Sequence, residues 1–189
     1  MSFIPNLLTL LRTAAAPVLI VLLEDRAFDL ALLVFILAGV SDGLDGYIAK
    51  RYHYETRLGA ILDPVADKVL LVSGFVMLTV LDLVPLWLLV TVVFRDVLIV
   101  GGYLVLVTLS GTVRMQPSHV SKINTVIQII LVGVILAQQA QWIDLPALVD
   151  LLIGCVFLTT VISGAHYVWV WAFGKQSDTA AKPEARVAD

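Results

Sequence analysis

With 189 residues, 60% hydrophobic and only 14% charged, the chain falls far from the roughly 25% charged content of a soluble domain. Its mean hydropathy of +0.98 points to a bilayer, where this length allows about six spans of roughly 20 residues. A net charge of −3, with Lys and Arg scattered and not interleaved with aromatics, argues against nucleic acid as a partner. The lone Cys155 excludes an intramolecular disulfide, and no Cys/His zinc spacing exists.

The first apolar segment, 7–23, is interrupted by Arg12 and followed by Glu24 and Asp25 without a convincing cleavage site, so it reads as a span of the mature protein and not a leader. Further apolar segments follow at 30–48, 58–81, 84–109, 123–137 and 145–173. The fifth is short, but Ile123, Val126, Ile127, Ile130 and Leu131 recur at helical spacing. Polar turns at 24–29, 51–57, 81–85, 111–122 and 141–144 are short enough to force neighbouring helices antiparallel. The expectation is an all-α, integral membrane bundle of six transmembrane helices over 1–174, with 175–189 a disordered, polar cytoplasmic tail. Cytoplasmic loops concentrate Lys and Arg. In the six-span arrangement Arg12, Lys50, Arg51, Arg57, Arg114, Lys122, Lys175, Lys182 and Arg186 share the side of both termini, while Arg26 lies opposite, which makes both termini cytoplasmic.

The second and third spans contain Asp42, Asp45, Asp63 and Asp67, with Lys68 beside the last. An ionised residue at the centre of a span costs at least about 2.5–3.5 kcal/mol, so four carboxylates without a task are implausible. Asp42, Asp45 and Ala49 share one helical face; Gly59, Asp63 and Asp67 share a face of the next helix at i, i+4 and i+8. An oxygen-rich pocket without sulphur or imidazole suits hard cations, Mg²⁺ above all, and four carboxylates suit two ions. Gly46, Ala49, Gly59 and Ala60 leave room for a bulky ligand, and Lys50, Arg51 and Arg57 bring positive charge to the mouth, which suits a diphosphate. Small residues also serve helix packing and basic loop residues also set topology, so the aspartates carry the functional reading. His53, His119 and His166 read as interfacial or solvated. A cation transporter would line several spans from side to side, whereas here the carboxylates gather toward the cytoplasmic half of two.

From Asp42 to Asp67 the chain reads D-G-L-D-G-Y-I-A-K-R-Y-H-Y-E-T-R-L-G-A-I-L-D-P-V-A-D. This resembles the signature D-x-x-D-G-x-x-A-R-x8-G-x3-D-x3-D of the CDP-alcohol phosphatidyltransferase family. Lys50 stands where the family usually has Arg; it keeps the charge and lacks the bidentate fork, which the adjacent Arg51 offers. Pro5-Asn6 with Arg12, Arg95-Asp96, and Ser121-Lys122-Ile123-Asn124-Thr125 with Gln128 resemble further family landmarks. The resemblance implies a six-helix membrane domain, usually a homodimer, with a polar cavity open to the cytoplasm. Asp42, Asp45 and Asp63 would hold two divalent cations, Mg²⁺ or Mn²⁺, and Asp67 would touch metal and act as general base. Asp42, Asp45, Gly46, Ala49, Lys50, Arg51 and Gly59 would bind the CDP moiety of CDP-diacylglycerol, whose phosphatidyl group passes to an alcohol with release of CMP.

Within the family, the chain more resembles members whose acceptor is phosphatidylglycerol, giving cardiolipin; the alternative acceptor is glycerol 3-phosphate, giving phosphatidylglycerophosphate. Enzymes of the second kind typically carry an Arg seven residues after the one matching Arg95, and Gly102 stands there. The Arg95-Asp96 pair and the stretch Met115-Gln116-Pro117-Ser118 to Lys122 also resemble the first kind. Arg95, Arg114 and Lys122 are the acceptor-side candidates. Asp96 lies about 100° round the helix from Arg95, which points to a partner for that guanidinium on another helix. With no mitochondrial presequence visible, a bacterial inner membrane is the expected location.

Overall fold

A computed structural model describes the backbone of residues 3–52, 59–110 and 119–173, and the side-chain surroundings of 14–41, 68–101 and 120–167. Six helices run through it: α1 Phe3–Glu24, α2 Phe28–Tyr52, α3 Gly59–Val80, α4 Leu86–Ser110, α5 His119–Gln139 and α6 Pro146–Phe173. There is no strand among the described residues. The all-α expectation holds, with two corrections. Arg51 and Tyr52, read as a turn, continue α2, and Lys122, read as a loop residue, lies in the opening turns of α5. Hydropathy reports apolarity, whereas a helix end can run on through polar side chains.

The three short connections described are alike. Arg26, Asp82 and Gln141 each have φ near +60° (57°, 59° and 61°) just after a helix. Around them the backbone closes two hydrogen bonds onto the preceding turn. Ala27 N donates to Leu22 O at 2.8 Å and Arg26 N to Leu23 O at 3.1 Å; Leu83 N to Leu78 O and Asp82 N to Thr79 O repeat the pattern, as do Trp142 N to Ala137 O and Gln141 N to Gln138 O. These are Schellman caps, which satisfy terminal carbonyls and turn the chain back within a few residues. Pro146 then opens α6, where its missing N–H has no helical use. Antiparallel neighbours follow, so the three capped turns lie at one end of the bundle, and the start of α1 and finish of α6 at the other.

The interior of the capped half is apolar: Leu19 and Leu23 of α1, Phe75 and Leu78 of α3, Leu88 of α4 and Leu136 of α5 are fully buried. Outward faces are apolar too, with Val21, Leu37, Phe94, Val97, Ile123, Leu151 and Leu158 among many exposed large hydrophobics. That inverts the surface of a water-soluble protein. Among the described residues two stretches are long and apolar enough to cross a membrane, Val120–Gln139 and Pro146–Tyr167, with only 33% and 17% of their residues buried. Shorter apolar stretches occur at Ala14–Glu24, Phe28–Ser41 and Lys68–Val80.

Candidate active site

Polar side chains reappear where the bundle approaches its other end. Arg95 of α4 is 3% exposed and its guanidinium is engaged on three sides. Nη1 donates to Asp96 Oδ1 at 2.7 Å, Nε and Nη2 donate to Ser163 Oγ of α6 at 3.2 and 2.7 Å, and Nη2 also donates to Ser121 Oγ of α5. The partners thus include both other helices and Asp96 itself. The 100° offset is overcome because a long Arg stem can curl back along its own helix. Asp96 in turn accepts both bonds of Lys68 Nζ from α3, at 2.8 and 2.7 Å. Two cations share one carboxylate, so this group carries a net positive charge, and the Lys68 side chain is 29% exposed.

One helical turn further along α5 the second polar cluster begins. Asn124 is fully buried, with Thr159 and Thr160 donating to its amide at 2.8 and 2.9 Å. Among the described residues its Nδ2 has no partner, and neither do Nε2 and Oε1 of the fully buried Gln128. Each such orphan costs about 1–3 kcal/mol. By contrast, the hydroxyls of Thr79, Thr91 and Thr125 find carbonyls one turn back in their own helices.

The level of these amides follows from two contacts. A Cβ at Gly74 would lie 3.7 Å from Val132 Cγ1, so these positions of the parallel helices α3 and α5 are level. Seven residues back along each, about 10 Å, residue 67 is level with residue 125. At the capped end, Trp142 Nε1 donates to Asp29 Oδ1 at 2.7 Å, tying the start of α2 to the finish of α5. Counting about 20 Å from there brings residue 42 of α2 level with residue 128 of α5. Helix α5 packs against both α2 and α3. Asn124 and Gln128 therefore stand at the depth of backbone positions 42, 45 and 67.

Of the residues expected from sequence to form a site, Asp42, Asp45, Gly46, Ala49, Lys50 and Arg51 belong to α2, and Gly59, Asp63 and Asp67 to α3; their side chains lie outside those described. Both helices are continuous there, so backbone positions 42 and 45, and 63 and 67, are each about one turn apart. A donor set of oxygens alone fits hard divalent cations. Arg57 and Arg114 lie outside the described residues, as does the tail 174–189. Lys122 is exposed. Sequence reasoning passed over Asp96 as the shared acceptor and over Ser163, Thr159 and Thr160. Their hydroxyls at i, i+1 and i+4 in an apolar helix were the available signal.

Polar side chains of α3, α4, α5 and α6 thus meet away from the capped turns, at the depth of backbone positions 42, 45 and 67. The chain belongs to the CDP-alcohol phosphatidyltransferase family, whose model matches residues 2–162. It is 37% identical over 180 residues to a cardiolipin synthase (CMP-forming) of Rattus norvegicus, covering 87% of this chain and 60% of that protein. A Homo sapiens protein of the same name is 39% identical over 150 residues, 71% of this chain and 50% of the other. The chain thus spans 50% and 60% of the lengths of these two relatives. A CDP-diacylglycerol--glycerol-3-phosphate 3-phosphatidyltransferase of Bacillus subtilis is 30% identical over 182 residues, 87% of this chain and 92% of that protein.

Proposed function

We propose that the protein is a phosphatidyltransferase of phospholipid synthesis. It moves a phosphatidyl group from CDP-diacylglycerol to an alcohol, releases CMP, and uses phosphatidylglycerol as acceptor to form cardiolipin. The observation that carries this is the Asp42-to-Asp67 signature on two consecutive helices in a chain of this family. Glycerol 3-phosphate is the second reading, favoured by the match to nearly the whole Bacillus subtilis enzyme.

In this reading all six helices lie in the bilayer, which their outward apolar faces support. The capped end faces away from the cytoplasm, both termini are cytoplasmic, and the membrane is a bacterial inner one. A homodimer is part of the same reading, on the family resemblance. Asp42, Asp45, Asp63 and Asp67 would hold two divalent cations, Mg²⁺ or Mn²⁺, which would supply charge neutralisation to the diphosphate and the leaving CMP. Gly46, Ala49 and Gly59 make room for the nucleotide, and Lys50 and Arg51 meet its phosphates. Asp67 takes the proton from the acceptor hydroxyl as that oxygen bonds to the lipid-side phosphorus. The phosphorus–oxygen bond to CMP breaks, and CMP leaves with the electron pair. The net positive group of Lys68, Arg95 and Asp96 favours the acceptor phosphate, and Arg114 and Lys122 are the further acceptor-side candidates.

The test is CMP release from CDP-diacylglycerol by purified protein in detergent with Mg²⁺ or Mn²⁺ and, separately, phosphatidylglycerol or glycerol 3-phosphate. Asp67→Asn should abolish turnover and leave the thermal melt within a few degrees of the parent. Undiminished CMP release by that variant removes Asp67 as base.

A further inference from the structure

Resting on that reading, we infer that Gln128, helped by Asn124, forms the subsite for the vicinal diol of the acceptor's glycerol and makes the site select a second hydroxyl beside the one that reacts. The argument starts from an anomaly. A buried polar group ordinarily has a hydrogen-bond partner, and even the less buried Thr79, Thr91 and Thr125 find one in their own helices. Among the described residues, Gln128 is fully buried with both ends of its amide unpartnered, and Asn124, on the same face one turn away, keeps one end unpartnered.

Orientation limits what could complete these groups. Thr159 and Thr160 pin one end of the Asn124 amide against α6, so its other end points away from that contact. Neither amide has a charge, so a bare phosphate would gain less from them than from the Lys68–Asp96–Arg95 group. A primary amide offers a donor and an acceptor side by side, the complement of two adjacent hydroxyls, each of which donates and accepts. The level adds the chemistry. Asn124 and Gln128 bracket residue 125, which is level with residue 67. A hydroxyl that hands its proton to Asp67 brings the neighbouring hydroxyl to the same depth. Phosphatidylglycerol and glycerol 3-phosphate share this diol, so the subsite selects glycerol and leaves the choice between them to charged groups elsewhere.

The experiment pairs a change in the protein with a change in the acceptor. Phosphatidyl-1,3-propanediol and 3-hydroxypropyl phosphate keep the reacting primary hydroxyl of the two acceptors and lack the second. With full-length purified protein, kcat/KM from CMP release should fall at least roughly tenfold when the second hydroxyl is missing. Gln128→Met, close in volume and without the amide, should lose a similar factor on the diol, treat both acceptors of a pair alike, and leave the KM for CDP-diacylglycerol unchanged. Because the variant removes orphaned polar atoms, its substrate-free melt should be no lower than the parent's; a residue kept for structure would move it down. Gln128→Asn, which retracts the amide by one methylene, gives a second variant with the same expected loss of preference. Retention of the parent's diol preference by either folded variant overturns the inference, as does a raised KM for CDP-diacylglycerol alone. Absence of CMP with every acceptor instead sinks the phosphatidyltransferase reading itself.

Discussion

Changing Asp96 to Asn tests whether the charged group between α3, α4, α5 and α6 holds these helices together. In the parent, one carboxylate with 9% side-chain exposure compensates Arg95, at 4%, and Lys68, at 29%. Removing one partner of a buried ion pair costs about 3–5 kcal/mol, mostly because the remaining charge is stranded. Two features pull the figure to the low end. The asparagine oxygen still accepts one hydrogen bond, and Lys68 can turn to solvent, while Arg95 keeps Ser121 and Ser163. About 3 kcal/mol remains, which for a chain of this size lowers the melting temperature by roughly 6–12 °C. Lys68→Met, removing the more exposed cation, should cost about 1 kcal/mol. The two changes share a partner, so the double variant should melt well above the additive expectation. Thermal unfolding in detergent, followed by helical signal, gives all three numbers. An Asp96→Asn melt within 2 °C of the parent, or strict additivity, would refute the reasoning by showing that the ion group adds nothing net to helix packing.

Two further outcomes follow from the same structure. Thr160→Val, of equal shape, removes a hydroxyl donor to Asn124 and should lower stability by about 1 kcal/mol; an unchanged melt would mean that Thr159 alone fixes that amide. Gln141→Gly relieves a left-handed residue at φ 61° and should raise the melt by a degree or two, an effect of roughly 0.5 kcal/mol after the glycine's extra unfolded-state entropy. A lower melt would mean that the Gln141 side chain contributes more than its backbone strain costs.

Helix number and order were legible because apolar runs and their polar interruptions are properties of single residues in sequence. Helix ends were less so. Tyr52 and Lys122 lie in helices that apolarity does not mark, since a helix needs backbone hydrogen bonds and not a hydrophobic surface. The aspartates announced themselves by their cost in a hydrophobic span. Arg95 stood out for the same reason, but its partners could not be read, because Ser163 and Ser121 are distant in sequence and the bond to Asp96 requires a curled side chain. Gln128 shows the opposite limit. Its place in a family-like segment was visible, whereas its unsatisfied amide exists only once α5 is packed against its neighbours.

In the proposed reading, the charges of the site give divalent cations a task. With all four aspartates ionised, their charge would still exceed that of Lys50, Arg51 and the net positive Lys68–Asp96–Arg95 group together, so the protein alone would not attract a diphosphate. Two divalent cations would reverse that excess and leave a positive surplus for the donor to occupy. The acceptor's phosphate then meets a site already near neutrality. There, fixed charge can hold it only weakly, and hydrogen bonds to uncharged hydroxyls carry proportionately more of the recognition. On the proposal, the donor falls to carboxylates and cations, and the acceptor to the α4 charge group and the α5 amides. Raising ionic strength should therefore weaken use of an anionic acceptor only mildly while leaving the preference for a diol intact, because orphaned amides buried beside α6 are not screened by salt.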